Sequence, residues 1–441
     1  MQKYNIVYIH SHDTGRYIQP FGHNVSTPNL QKLAEEGTFF RNAFSAAPTC
    51  SPSRAALLTG QCPHNSGMLG LAHRGFKLND YSKHIIHTLK KYGYQTAISG
   101  YQHIAEKHEI IGYDNILTKD SELEAAKKAC EFISSEHQKP FFLSVGFWDT
   151  HRNWPQPNPA DDERYTLVPP VIPDCPKTRR DMAGFKSSAR RLDEYIGRVL
   201  SSIKYNNLSD NTIVICTTDH GIAFPGMKCN LNNHGLGVFL IMKGPEGFTG
   251  GNVIDNMVSH IDIFPTLCDI LKIEKPDWLQ GKSFLPLIQN NQYEENEAVF
   301  GEITYHACYQ PTRSIRTQRY NYIRRFSQRT KPLLPNCDKS PSKDTVLEFG
   351  ADTAKIPEHQ LYDIHLDPTE ANNLADKKEY ADVLRKLSNQ LKNWMIKTQD
   401  PLLLGPVTAP KKATIDSPEA LDPDEEIIDF KPLDKQWKFD F

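Results

Sequence analysis

The residues best suited to chemistry sit at a few points of the sequence. Residues 49–60 read Thr-Cys-Ser-Pro-Ser-Arg-Ala-Ala-Leu-Leu-Thr-Gly. Ser51 suits an N-cap and Pro52 the first helical position, so a helix is expected to begin there. Cys50 then lies just before a helix N-terminus, where free N–H groups and the helix dipole favour an anion. Arg54 projects from the first turn toward it. A nucleophile, an anion-stabilising helix end and a guanidinium are thereby placed together. A capped helix with an incidental cysteine fits the same spacing equally well.

Two acidic dipeptides follow apolar runs: His12-Asp13 after residues 6–10, and Asp219-His220 after residues 212–217. Hard oxygen ligands at two strand ends can hold one divalent cation. Such an ion polarises an anionic oxygen and lowers the pKa of an attacking hydroxyl. The imidazoles shift the preference from Ca²⁺ or Mg²⁺ toward Mn²⁺ or Zn²⁺. Either dipeptide alone also reads as a capping aspartate or a satisfied loop histidine. His103 and His151 stand after two further strand-like runs, and Lys228 lies nine residues beyond Asp219. His64, His73 and Arg74 follow the expected nucleophile helix and are candidates to line a pocket.

The elements that must position these groups alternate. Strand-like runs at 6–10, 96–99, 141–147, 212–217 and 238–242 are rich in Val, Ile, Phe and Tyr, as expected of strands buried on both faces of a largely parallel sheet. Helical segments are expected at 28–36, 52–59, 122–136, 178–203 and 261–271. This alternation predicts an α/β domain with helices on both faces, whose site lies outside the strands' C-terminal ends. Beyond residue 296 the pattern changes to short strands at 299–304, 313–317 and 320–325, with a helix at 379–397. We expect a catalytic domain over 1–295 and a smaller C-terminal α+β domain over 296–441. The polar stretch 327–355 reads as a long loop, and the tail from Pro401 as a surface-wrapping or partly mobile segment.

The bulk numbers set the frame. The chain has 441 residues, 39% hydrophobic and 24% charged, with a formal net charge of -2. That length suits one large domain plus a smaller one. The near-neutral charge gives no field for nucleic acid or a membrane surface. The run from Tyr4 to His10 is too short to span a bilayer and no small-residue cleavage site follows it, so a cytoplasmic location is expected. There are nine cysteines; the odd count and the absence of CxxC or Cys/His zinc spacing argue against a disulfide framework.

Cys50-Ser51-Pro52-Ser53-Arg54, followed by Leu57-Leu58-Thr59-Gly60, resembles the signature of the formylglycine-dependent sulfatases, members of the alkaline-phosphatase-like superfamily. Thr27-Pro28-Asn29-Leu30, Phe40-Arg41-Asn42-Ala43-Phe44, Leu361-Tyr362-Asp363 and Asp367-Pro368 agree with that family in order and spacing. Gly67-Met68-Leu69-Gly70-Leu71 and Asp219-His220-Gly221-Ile222-Ala223-Phe224-Pro225 resemble most the sulfamidases, the heparan N-sulfatases.

The resemblance implies an alkaline-phosphatase-like large domain and a smaller domain with an antiparallel sheet. It implies that a maturase oxidises Cys50 to formylglycine, whose hydrate supplies the attacking oxygen. His12, Asp13, Asp219, His220 and residue 50 are then the implied metal ligands, with Ca²⁺ or Mg²⁺ the family's usual ion. His151 resembles the histidine that protonates the leaving group, His103 the one that takes a proton from the hydrate, and Lys228 a basic residue that contacts sulfate. The partners implied are a small-molecule or saccharide sulfate and the maturase. Departures are visible. The family commonly has Asp-Asp and Asp-Asn where this chain has His12-Asp13 and Asp219-His220, and a lysine where Tyr101 stands. Tyr101 and His220 resemble the phosphonate monoester and phosphodiester hydrolases, which form a rival reading. A non-catalytic binder of sulfated sugars is a third, opposed by the retention of Cys50, Arg54, His103 and His151.

Overall fold

Val, Ile and aromatic residues fill the first strand, β1 (Asn5–Ser11), on both faces. Ile6 and Tyr8 join one hydrophobic core and Val7 and Ile9 the opposite one, as the two-residue period of a strand requires. The same division holds for β6 (Thr212–Thr218) and β7 (Gly237–Lys243): Ile213, Ile215, Val238 and Leu240 face the first core, Val214, Cys216, Phe239 and Ile241 the second. Burying each such side chain contributes about 1.5–3 kcal/mol. A strand apolar on both faces therefore needs a layer of helices on each side. The computed structural model describes residues 4–289 and 296–430, and it shows that arrangement.

The remaining strands of this sheet are β2 (Thr38–Phe44), β3 (Gln95–Gly100), β4 (Asn115–Thr118), β5 (Phe141–Gly146), β8 (Asn252–Ile254) and β9 (Val258–Ser259). Their order is β4-β3-β5-β1-β6-β7-β2-β8, with β9 also paired to β2. β4, β3, β5, β1 and β6 are parallel, whereas β7 pairs antiparallel with both β6 and β2. The sheet is thus mixed and mostly parallel. Leu30 and Leu33 of the helix Pro28–Glu36, with Leu192 and Ile196 of the long helix Pro176–Tyr205, cover one face. Ala55 and Leu57 of Cys50–Thr59 and Phe264 of Ile263–Leu271 cover the other.

Register decides where the site falls. Ser11 pairs with Thr218, His10 with Gly146, and Gly100 with Gly146. The C-terminal tips of β1, β3, β5 and β6 therefore lie abreast, and the loops after them meet on one edge. The turn after β3 is tight: Gly100 has φ +83, and a Cβ there would come within 2.3 Å of the Gly146 carbonyl oxygen.

A second, antiparallel sheet runs β10 (Val299–Tyr305), β11 (Tyr309–Arg316), β12 (Tyr320–Arg325) and β13 (His359–Asp363) in that order. The helix Ala381–Lys397 buries Leu387, Leu391 and Met395 against Ile315, Tyr322 and Leu361 of this sheet. The boundary expected after residue 295 touches residues 290–295, which lie outside the described residues. One expectation about this half is corrected and another is narrowed to its surface-wrapping alternative. The stretch read as a loop contains the helix Pro341–Glu348, started by Ser340, whose side chain accepts from the Lys343 N–H. The tail, through residue 430, is tied down: Ile415 is 2% exposed and joins the first core, and Ile415–Asp416 pairs with Ile427–Ile428. No helix among the described residues is long and apolar enough to cross a membrane. All nine cysteines are free.

Candidate active site

The nucleophile segment differs from expectation in its first turn. The helix begins at Cys50, with Thr49 in the N-cap position and no side-chain capping bond. Cys50 is thus the first helical residue, not the residue before the cap. Ser51, expected to cap, instead accepts the Ala72 N–H at 3.0 Å. Ser53 donates to the Asp219 carbonyl at 2.5 Å and so ties the helix to the tip of β6. Every residue of this helix is buried, Cys50 to 1% exposure. Burial pushes the Cys50 thiol well above its usual range, with Asp13 and Asp219 raising it further and Lys228 lowering it. The thiolate is the nucleophilic form of cysteine, so this burial disfavours the reactive form of the unmodified side chain despite the helix end.

The two acidic dipeptides converge on it. Cys50 Sγ lies 3.2 Å from His220 Nε2 and 3.9 Å from Asp13 Oδ1. His220 Nε2 is 3.2 Å from Asp13 Oδ1. The Asp13 backbone, held at φ 46, donates its N–H to Asp219 Oδ1 at 2.8 Å. Burial raises both carboxyl groups, yet their cationic and imidazole neighbours outweigh it and hold both well below the usual range: Lys228, His151 and His220 for Asp13; His220, Arg54 and His12 for Asp219. Arg54 reaches Asp219 Oδ2 through Nε at 3.1 Å and Nη2 at 2.9 Å, and Nη2 also donates to the Ser11 carbonyl at 2.8 Å. Its Nη1 contacts His10 Nδ1. Arg54 is therefore committed to the walls of the site, and its charge reaches the centre through Asp219.

Lys228 is buried between Asp13 Oδ2 at 2.9 Å and Asp338 Oδ2 at 3.1 Å, with His151 Nε2 at 3.4 Å. Burial lowers its pKa, but the two carboxylates win and keep it charged. His151 Nδ1 faces the Arg152 carbonyl at 2.5 Å, so Nδ1 carries the proton and Nε2 offers a lone pair toward Lys228. Burial lowers the His151 pKa against the pull of Asp13. His103 Nε2 lies 2.7 Å from His73 Nδ1, the rings stacked with centroids 5.0 Å apart. Burial, then His73 and Arg54, depress the His103 pKa. Tyr101, Trp148, His103 and His151 surround the His12 ring at centroid distances of 4.7, 4.8, 5.8 and 5.3 Å.

Of the residues singled out by sequence, Cys50, Arg54, His12, Asp13, Asp219, His220, His151 and Lys228 come together, with Tyr101, His103 and His73 beside them. Two do not join them. Arg74 turns away to Asp416 at 2.7 and 3.2 Å and to Asp424 at 2.6 Å. His64 Nδ1 sits 2.5 Å from Glu302 in a buried ionic cluster with Arg313 and Asp400. Sequence reading missed His10, Asp338 and Trp148. An imidazole at the tip of a buried strand was a readable signal for His10. Asp338 lies in the polar stretch taken as a loop, where no spacing marks it.

The donors suit a divalent cation. Donor atoms of Asp13, Cys50, Asp219 and His220 all lie within 4.8 Å of one another, and so do those of His12, Asp13, Cys50 and His151. His12 is fully buried; its Nδ1 lies 3.3 Å from Asp219 Oδ2, and its Nε2 has no hydrogen-bond partner among the described residues. A buried polar atom without a partner calls for an explanation, and a ligated ion supplies one.

Comparison with known proteins shows what the chain as a whole is similar to. The profile described as sulfatase matches residues 4–273, and the profile described as N-sulphoglucosamine sulphohydrolase, C-terminal, matches residues 228–346. The chain is 29% identical to the human (Homo sapiens) N-sulphoglucosamine sulphohydrolase over 445 residues, covering 87% of this chain and 88% of that one. It is also 29% identical to an ulvan-active sulfatase of Formosa agariphila over 416 residues, covering 88% and 79%. Among solved structures, BT4656 in complex with its substrate D-glucosamine-2-N,6-O-disulfate superposes with a TM-score of 0.72 at 20% identity, covering 90% of this chain and 99% of that one.

Proposed function

Since the chain belongs to the sulfatase family, we propose that this site removes sulfate from a sulfated saccharide, as an ester or a sulfamate, through a formylglycine made from Cys50 and one divalent cation. The observation that carries the reading is the position of Cys50 Sγ, 3.2 Å from His220 Nε2 and 3.9 Å from Asp13 Oδ1 at the head of a helix. Asp13, Asp219, His220 and His12 would hold the cation, and position 50 would complete its surroundings. When bound, the cation polarises a sulfuryl oxygen and favours the ionised form of the attacking hydroxyl. Formylglycine supplies that hydroxyl from a hydrated aldehyde, and its second hydroxyl lets the enzyme be regenerated.

The chain's own residues do the rest. Arg54 fixes Asp219 from behind, so the carboxylate cannot turn away from the centre. Lys228 places a positive charge beside the sulfuryl group, and His151, with Lys228 Nζ at 3.4 Å, protonates the leaving oxygen or nitrogen. His103, its Nε2 toward His73, takes a proton from the residue-50 side. Preorganised charge of this kind is commonly the largest contribution to rate. A cavity of about 280 Å³ bordered by Lys228, Asn230, Gln310, Asn336 and Tyr362 adjoins the site. Its lining mixes these amides and one tyrosine with apolar side chains such as Leu231 and Ile323, a combination that suits the polar and apolar faces of a saccharide leaving group. The 1% exposure of Cys50 implies that a maturase acts before the fold closes over it.

Mass analysis of the tryptic peptide spanning Cys50 tests the modification: an aldehyde in place of the thiol is expected after co-expression with a maturase. Cys50→Ala should abolish sulfate release and leave the unfolding transition in place; wild-type turnover in that variant would sink the scheme. Tyr101, standing where the family has a lysine, favours a phosphonate or phosphodiester hydrolase as second reading. Parallel rates on an aryl sulfate, N-sulfoglucosamine and an aryl phosphonate separate the two.

A further inference from the structure

His73 is the one exposed member of the histidine pair that flanks the nucleophile. Its ring stacks on that of His103, at 2.7 Å between nitrogens, and the placement of that ring follows from its backbone. That backbone is a single turn, Ala72–Arg74, too short to hold itself. One end is fixed to the nucleophile helix, because Ala72 N–H donates to Ser51 Oγ at 3.0 Å. The other end is fixed by residues more than 330 positions away. Thr414 N–H donates to the Arg74 carbonyl at 3.0 Å. The Arg74 guanidinium forks onto both oxygens of Asp416 at 2.7 and 3.2 Å. Gly75, at φ +91, lies so close to the tail that a Cβ would meet the Lys412 carbonyl oxygen at 2.8 Å.

The tail is in turn anchored and not merely draped. Asp416 is fully buried, its N–H donates to the Ala307 carbonyl at 2.9 Å, and its Oδ2 accepts the Asp424 N–H at 2.8 Å. The adjacent Ile415 sits in the first hydrophobic core. A buried, bidentate arginine–carboxylate pair fixes orientation as well as distance, and it stands one residue from His73.

We infer that the C-terminal segment 411–426 is a strap that positions the His73–His103 pair, with Asp416 acting through Arg74. Asp416 is a positioning residue here: it touches neither substrate nor the reacting atoms. The inference rests on the reading of His103 as a proton acceptor in sulfate hydrolysis. It assigns a catalytic consequence to a stretch of chain that the nucleophile motif does not reveal.

A double-mutant cycle tests it, with wild-type turnover of 4-nitrophenyl sulfate as the reference. Asp416→Ala is expected to lower kcat by about 10- to 100-fold, the range for a misplaced catalytic group, with KM little changed; Asp416→Glu restores part of the rate. His73→Ala should lower kcat similarly, and the double variant should be no slower than the worse single variant, because both changes break one unit. Losses that multiply, or an Asp416→Ala kcat equal to wild type, overturn the inference. A second readout needs no turnover: in ¹⁵N-histidine-labelled protein, the ring signals of His73 and His103 should move in Asp416→Ala while those of His137 and His365 stay. Unmoved signals also overturn it. If Asp416→Ala does not accumulate as folded protein, Arg74→Lys, which keeps the charge and loses the fork, carries the same cycle. An inactive wild type on every sulfate substrate would instead strike at the proposed function, and the labelled protein would still decide the strap.

Discussion

Replacing Arg54 by alanine removes the guanidinium that meets Asp219 at 2.9 and 3.1 Å. The Asp219 side chain has no solvent exposure, so water cannot take over. Breaking one side of a buried ion pair costs about 3–5 kcal/mol, because the remaining charge is left uncompensated. The lost donations to the Ser11 carbonyl and to His10 are part of that loss. With a urea dependence of about 3 kcal/mol per molar, at the upper end for ordinary domains, the unfolding midpoint of the metal-free variant should fall by about 1 M or more. A divalent cation should narrow the gap, since it supplies positive charge to the same carboxylate. At a free concentration of 100 times its Kd, a ligand specific for the native state adds about 2.7 kcal/mol. The assay is urea unfolding followed by far-ultraviolet circular dichroism, in chelator and again in excess Mn²⁺. A metal-free Arg54→Ala midpoint within about 0.3 M of wild type, equivalent to about 1 kcal/mol, would refute the claim that Asp219 depends on this arginine.

Two more outcomes are expected. Burial lowers the His64 pKa, but Glu302 at 2.5 Å and then Asp400 outweigh it and raise it above the usual imidazole range. A raised folded pKa stabilises fully below the unfolded value of about 6.5 and is lost as pH climbs through the folded value. His64→Gln should therefore cost more stability at pH 6 than at pH 9, read as urea midpoints; equal costs would show that the ring is neutral in the fold. Stripping divalent ions should lower the thermal midpoint, and Mn²⁺ or Zn²⁺ should restore it better than Ca²⁺, because His12 and His220 add imidazole donors to the set. Full recovery with Ca²⁺ alone, in a fluorescence melting assay, would remove the two histidines from the ligand set.

The crevice was legible because β1, β5 and β6 are apolar on both faces, which makes each a central strand with helices on either side; strand direction is not fixed by that pattern, since β7 is equally apolar and pairs antiparallel with both neighbours. β2 was not legible, since Arg41 and Asn42 interrupt its apolar run. The structure resolves this with a register shift between Phe40 and Ala43 opposite β7, which turns both polar residues outward. The start of the nucleophile helix was misplaced by the strong local preference of Ser51 for a cap. The Ala72 N–H, 21 residues away, claimed its oxygen instead. Arg74 and His64 have side chains fit for an anion pocket, yet Asp416 and Glu302 hold them elsewhere. Those partners lie 342 and 238 residues away, beyond anything local spacing can encode.

The replacement of the family's lysine by Tyr101 changes the electrostatics of the whole site. Burial raises the Tyr101 pKa, so the phenol stays neutral and supplies no charge. Around the centre, Asp13, Asp219 and Asp338 carry three negative charges against Arg54 and Lys228, a balance of one negative charge before any imidazole is counted. Such a pocket repels a sulfate monoester. A bound divalent cation reverses the sign to one positive charge, which a monoanionic sulfuryl group then neutralises. A site that kept the lysine would already be neutral without the ion. On the proposed function, substrate affinity is expected to depend on metal occupancy more strongly than in a site that keeps the lysine, read as a rise in KM for an aryl sulfate as the divalent ion is withdrawn; a KM unchanged by metal removal would refute this charge count.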